Sequence, residues 1–507
     1  MGDIMMTEVD LSCFKIQNNW ARRQVKEEED IYRNCFSRDR DRILYSKGFR
    51  RLSGKTQVFV AGFDDHCRTR LTHTMEVAQI ATTISKNLGL NVDLTEAIAF
   101  GHDVGHTPFG HRGEQFLNLL MNGCYHVHGL NINLPDRERG FKHNWQSLRV
   151  ISSLEKHDRK FDSGGINLTN FTRWGILNHT NTLYKKCRFV LYEKSSDGLC
   201  KYNCGYMNKK VSCPLKGEYS IEFYKEQYKD KLNDSEDWSY EAFVVAIADE
   251  IAQRHHDIED GIEANILKKD SLINKIVDLF KDFLNEGEKR LIEKINDEDE
   301  KQYYIPLLSR FIVRFLVSRL IENVKNNLYQ LKIEKNIQDS HDFKRIRNEL
   351  NVEEERKRIN YCDAISKADK QFKDYLFEMI INSYLAQKMD GKSDFLLRQL
   401  TKAYATNPQQ LPDRTIIALF KNLNIRLEKY HKKDDVLKML KDNNIEEKEL
   451  KEVEPGLLRI TLNKLHKSQL EEYRFALLRT ICDYIAGMTD QYAIDQYESL
   501  YGSQIWR

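Results

Sequence analysis

Residues 100–114 read FGHDVGHTPFGHRGE, and the fold of the chain can be read outward from them. The apolar run over 95–100 predicts a buried helix, and the glycines and Pro108 that follow break it. His102 and Asp103 stand side by side where that helix meets the loop. At such a junction neighbouring side chains can converge on one ion, which the middle of a regular helix makes harder. His106, His111 and Glu114 crowd the rest of the stretch.

On the N-terminal side, Leu71, Met75, Ala78 and Ala81 recur at spacings of four and three, which predicts one face of a helix over 71–88. That helix carries His73, with Arg70 one turn before it. Far downstream, AFVVAIADEIA (242–252) predicts a third, very apolar helix over 240–254. Asp249 lies inside it, where a carboxylate is costly unless paired or bound to a cation. Between 260 and 390, segments such as KIVDLFKDFL and RFIVRFLVSRLIENV mix charged and apolar residues at helical spacing, and their charges read as solvated helix faces.

Only 7 prolines and 24 glycines occur in 507 residues, so chain breakers are scarce and long helices are favoured. The fold class expected is therefore mainly α. Length alone allows roughly three domains. Linkers rich in Pro, Gly and Ser are missing, however, so one large domain with appendages is expected. Its N-terminal part, 1–265, holds the metal core and an insertion at about 181–238. A helical C-terminal part, 266–507, packs on the same core. The insertion contains Cys187, Cys200, Cys204 and Cys213; four thiolates can form a structural zinc site, although no CxxC knuckle is present and four reduced cysteines are the plainer reading.

Hydrophobic residues make up 41% and charged residues 31%, the balance of a soluble globular protein. Lys and Arg total 79 against 77 Asp and Glu, a net charge of +2, without the basic excess of a dedicated nucleic-acid binder. The first ten residues hold no apolar core of a secretory signal. The longest apolar run, 242–248, is far too short to span a bilayer. A cytoplasmic location without membrane association is expected, and with it reduced cysteines.

Taken together, His73, His102, Asp103 and Asp249 read as a buried metal centre. Imidazole with carboxylate is a mixed N/O set that suits Mg, Mn, Fe, Co or Zn, with no thiolate to force zinc.

These residues lie in longer blocks. RTRLTHTMEVAQIA (68–81), GHDVGHTPFGHRGE (101–114), FKHNWQSLRV (141–150), INLTNFTRWGIL (166–177) and ADEIAQRHHDIEDG (248–261) resemble the HD-domain deoxynucleoside triphosphate triphosphohydrolases of the bacterial dGTPase type. RRLSGKTQVF (50–59) and DYIAGMTDQYAIDQY (483–497) resemble that family's segments near either end. The resemblance implies a helical HD-domain core with an additional helical C-terminal region. It implies His73, His102, Asp103 and Asp249 as metal ligands, with Mg2+ or Mn2+ foremost. It further implies His111 as catalytic histidine with Glu114 as its acidic partner, and Arg70, His106 and His143 along the phosphate chain. Gln57 and Asp257 match positions that hold the sugar 3′-hydroxyl. Gln253 departs from the pattern, since the family usually places a Tyr there near the sugar.

The activity implied is hydrolysis of a dNTP, dGTP first among them, to deoxynucleoside and inorganic triphosphate by water attack at the α-phosphorus. Whether His111 protonates the 5′-oxygen or assists the water stays open at this stage. Lys55 and Arg112 are further cations for the phosphates. A homo-oligomer, hexamer or tetramer, is also implied, with an allosteric dNTP or single-stranded DNA as further partners. Two competing readings are an HD phosphohydrolase or phosphodiesterase on another nucleotide, and a nucleotide-sensing or nucleic-acid-binding protein of the same fold. The complete ligand set argues against the last.

Overall fold

A computed structural model describes residues 10–57, 68–125, 127, 133–156, 165–184, 219–228, 231–429, 454–468 and 470–502. The helices that matter for the site are, in chain order, α1 (Arg70–Asn87), α2 (Val92–Gly101), α3 (Gly110–Met121), α4 (Asn170–Asn178), α5 (Tyr240–Glu263), α6 (Lys301–Glu334), α7 (Glu471–Ala486) and α8 (Asp490–Tyr501). Among the described residues, extended pairing is confined to two isolated bridges, Arg23 with Thr169 and Thr56 with Thr69. The mainly α expectation holds.

The helix starts follow side-chain capping. Thr69 accepts from the backbone N–H of Thr72 to open α1, Asn91 from Leu94 to open α2, Thr169 from Thr172 to open α4, and Ser239 from Ala242 to open α5. Helix α3 starts differently. Phe109 sits in the left-handed region at φ 58° with no side-chain cap, a strained position for a bulky residue. Its N–H donates to Asp490 Oδ1 at 2.8 Å, which makes up part of the missing cap.

By chain contacts the protein divides into two compact units. The first comprises Met1–Gly105, Asn144–Thr182 and Tyr228–Met389; the second His106–His143, Leu183–Gln227 and Asp390–Arg507. In the first, α5 packs against α1, α2, α4 and α6. Val77, Ala81 and Ile84 of α1, Leu94 and Ile98 of α2, and Val244, Ala248 and Ile251 of α5 share one core. Each fully buried Val, Leu or Ile contributes about 1.5–3 kcal/mol, so this three-helix contact is what holds the ligand-bearing helices in place.

In the second unit, α3 packs against α7. Arg479 of α7 is buried and donates to the carbonyls of Glu138 and Gly140, with its guanidinium over the Phe223 ring. Both guanidinium contacts tie loop backbone to a helix, which compensates the burial of the charge.

Of the face expected on α1, Ala78 and Ala81 are buried while Met75 is 56% exposed, and the buried stripe also takes in Arg70, His73, Thr74 and Val77. Apolar spacing alone does not register the three of these that are polar. The cysteines proposed for zinc, Cys187, Cys200, Cys204 and Cys213, lie outside the described residues.

Candidate metal centre and histidine–carboxylate cluster

In the first unit, four side chains from three places in the chain meet. Helix α1 brings His73, the α2 C-terminus brings His102 and Asp103, and α5 brings Asp249. His73 Nε2 lies 3.0 Å from Asp249 Oδ1. His102 Nε2 lies 3.7 Å from Asp103 Oδ2 and 3.9 Å from Asp249 Oδ1. The rings of His73 and His102 are 5.5 Å apart. His73, His102 and Asp103 offer donor atoms within 4.8 Å of one another.

Local structure aims these groups. The N–H at Nδ1 of His102 donates to the Ala99 carbonyl at 2.7 Å, which leaves Nε2 as a bare lone pair. That Nε2 is buried without a hydrogen-bond partner among the described residues. Gly105 lets the loop close beneath it, because a Cβ there would stand 2.0 Å from the Ser147 nitrogen. Ser147 Oγ accepts from the Gly105 N–H and donates to the His102 carbonyl.

Two imidazoles and two carboxylates around a buried, unpartnered nitrogen fit a divalent cation. Asp103 also takes a hydrogen bond from Arg70, which is 3% exposed. The sequence-predicted ligands are thus brought together, with the phosphate-binding candidate Arg70 on one of them.

Three neighbours were not singled out by sequence. His179 is buried with its ring 5.1 Å from His102. His256 of α5 faces His73, and Glu76 of α1 accepts from His256. Glu76 follows His73 by one helical turn, a signal present in the sequence; His256 had only the HH pair at 255–256. Of the two positions matched to the sugar, Gln57 has its Oε1 buried without a partner. Burial pushes the Asp257 carboxyl up to about 7, against the pull of Arg254. Lys55 is 1% exposed and thus no surface lysine.

Beside this centre an ionic group stands on α1 and α5. Arg68 pairs with Glu259 and Asp260, while His255 reaches Glu259 at 3.2 Å and Glu76 at 3.7 Å. Burial lowers the His255 pKa, but hydrogen bonds to Glu259 and Glu76 win and raise it to about 9, with Arg68 opposing. A raised imidazole stabilises the fold fully below its unfolded pKa of about 6.5 and loses that contribution as pH rises through about 9. The Tm gap between the wild type and His255→Gln should therefore shrink between pH 6 and pH 10. A gap that stays constant over this range would refute the charged imidazole.

The second unit holds the other predicted residues. Glu114 Oε1 accepts from the His143 backbone N–H at 3.1 Å, from His143 Nδ1 at 2.9 Å and from the Tyr184 hydroxyl at 2.8 Å. Its Oε2 lies 3.6 Å from His111 Nδ1. Burial pushes Glu114 towards its neutral form, but His143 and His111 overcome it and hold the carboxyl well below the usual range. His106 stacks on His143 at 4.8 Å and its ring lies 5.7 Å from that of His111.

The arrangement pins one carboxylate oxygen with three donors and turns the other towards His111, whose side chain is 73% exposed. A carboxylate at Nδ1 leaves Nε2 of the imidazole for proton exchange. Tyr184 was missed because nothing local links it to a glutamate 70 residues earlier. Arg112 is engaged by Gln115 and Asp394.

Residues 70–179 match the family described as HD domain, and residues 429–499 match the phosphohydrolase-associated domain. The chain is 30% identical to a deoxyguanosinetriphosphate triphosphohydrolase-like protein of Geobacter metallireducens, over 97% of this chain and 95% of that one. A protein of the same description from Rickettsia rickettsii is 31% identical over 94% of both chains. Another from Pelagibacter ubique is 40% identical over 56% of this chain and 63% of its own. Among the described residues, no helix is long and apolar enough to cross a membrane.

Proposed function

Because this chain belongs to the HD-domain family of deoxyguanosinetriphosphate triphosphohydrolase-like proteins, we propose that it is a metal-dependent dNTP triphosphohydrolase. The substrate class follows the names of its relatives, with dGTP first and other dNTPs after it. One observation supports the reading most: His73, Asp103 and Asp249 stand around a buried His102 Nε2 that has no hydrogen-bond partner among the described residues.

These four residues would hold Mg2+ or Mn2+. Such a cation polarises a phosphoryl oxygen and makes water nucleophilic near neutral pH. The reaction forms a bond from the water oxygen to the α-phosphorus and breaks the bond from that phosphorus to the 5′-oxygen. Deoxynucleoside and inorganic triphosphate leave, and the proton lost by water is balanced by the one gained at O5′.

Arg70 supplies a fixed guanidinium whose planar fork matches phosphate oxygens. His111, oriented by Glu114, exchanges the proton, with O5′ or with the attacking water, a task for which an imidazole suits better than a fixed cation. His106 and His143 line the phosphate chain, and Gln57 and Asp257 hold the 3′-hydroxyl.

Incubation of the purified protein with each dNTP and NTP under Mg2+ or Mn2+ tests the bond that breaks. Inorganic triphosphate with deoxynucleoside is the expected pair of products. Release of pyrophosphate or monophosphate instead would refute the proposed cleavage.

A further inference from the structure

His73 has two ring nitrogens with different neighbours. Nε2 faces Asp249 in the ligand cluster, and Nδ1 lies 3.3 Å from Nδ1 of His256. His256 is fully buried, and its other nitrogen, Nε2, is hydrogen-bonded to the Glu76 carboxylate. Its ring meets that of His73 edge to face at 5.1 Å. Because Glu76 follows His73 by one turn of α1, both present the same helix face, and one imidazole from α5 bridges them.

Proton counting makes this bridge directional. An ionised carboxylate only accepts, and Arg68 Nε at 3.5 Å together with His255 at 3.7 Å keep positive groups around Glu76. The proton of His256 therefore sits on Nε2, which leaves its Nδ1 as an acceptor. Two bare nitrogens at 3.3 Å would repel, so His73 must carry its proton on Nδ1. Its Nε2 is then a lone pair 3.0 Å from Asp249 Oδ1, two acceptors that only a cation between them reconciles, and this is the form in which imidazole binds a metal ion.

We propose that Glu76 and His256 are positioning residues that lock His73 in its Nδ1–H tautomer and thereby set the affinity of the centre for a divalent cation. The inference rests on the reading of His73 as a metal ligand. Outer partners of this kind are worth 10- to 100-fold in metal affinity.

The test compares Mn2+ binding to the full-length wild type, His256→Leu and His256→Gln. Leucine removes the acceptor. Glutamine can accept from His73 through its carbonyl and donate to Glu76 through its amide. The dissociation constant should rise about 10- to 100-fold in the leucine variant and return most of the way in the glutamine variant.

A wild-type constant in a folded leucine variant, or glutamine as weak as leucine, would overturn the relay. Tautomers are read independently of any variant by long-range 1H–15N correlation on 15N-histidine-labelled, Mg2+-loaded wild type. The proton of His256 is expected on Nε2 and that of His73 on Nδ1, and the opposite pattern refutes the proposal. A wild type that binds no Mn2+ sinks the metal-centre reading instead, which keeps the two failures apart.

Discussion

Replacing His111 by alanine is expected to leave the metal content of the purified protein unchanged and to lower kcat by about 10²- to 10⁴-fold, the range for removing a general acid or base. The two halves of that result come from different facts. The side chain is 73% exposed, so truncation costs little packing, and the imidazole is not one of the four side chains gathered around His102 Nε2. Metal analysis with steady-state turnover under saturating dNTP checks both halves. A variant with turnover within about twofold of the wild type, far short of that range, sinks the proton-transfer role. Loss of metal in the same variant would mean that His111 is a ligand.

The second large effect is expected from Asp103→Asn. The carboxamide keeps the shape but removes the charge that both a cation and Arg70 use. Metal stoichiometry should fall, and added Mn2+ should no longer raise the Tm, since a ligand stabilises only by binding the folded state. The charge stabilisation lost is several kcal/mol, at least ~10²-fold in kcat at about 1.36 kcal/mol per decade.

Asp103→Ala should be worse for the fold. It leaves Arg70 buried without its partner, a change that costs about 3–5 kcal/mol for buried pairs. Metal analysis and melting with and without Mn2+ separate the effects. An asparagine variant with wild-type metal content would overturn the assignment.

Much of this was legible without coordinates, for a reason that differs between residues. His102 with Asp103 are adjacent, Arg70 and His73 stand one turn apart, and so do His111 and Glu114. For such pairs, helix and turn geometry already decides that the side chains meet. Asp249 was legible by a different signal, the cost of burying a carboxylate in an apolar helix. The face of α1 was read in part, through Ala78 and Ala81 but not Met75, because a pattern of apolar residues cannot register His73 and Thr74 as buried.

What the chain determines alone is therefore local: helices from 3.6-residue periodicity and capping residues, a break at the glycines and Pro108, and an N/O ligand chemistry around His102 and Asp103. Family blocks extended that to both ends of the chain. Tertiary structure alone decided which distant groups meet.

His256 reaches His73 across 183 residues, and Tyr184 reaches Glu114 across 70. Such contacts exist only once α5 has buried its apolar stripe against α1, or once the second unit has closed around Glu114. The division of HD pair and His111 between two compact units is of the same kind. Spacing along a chain sets contacts within a helical turn; beyond it, burial of apolar surface chooses the partners.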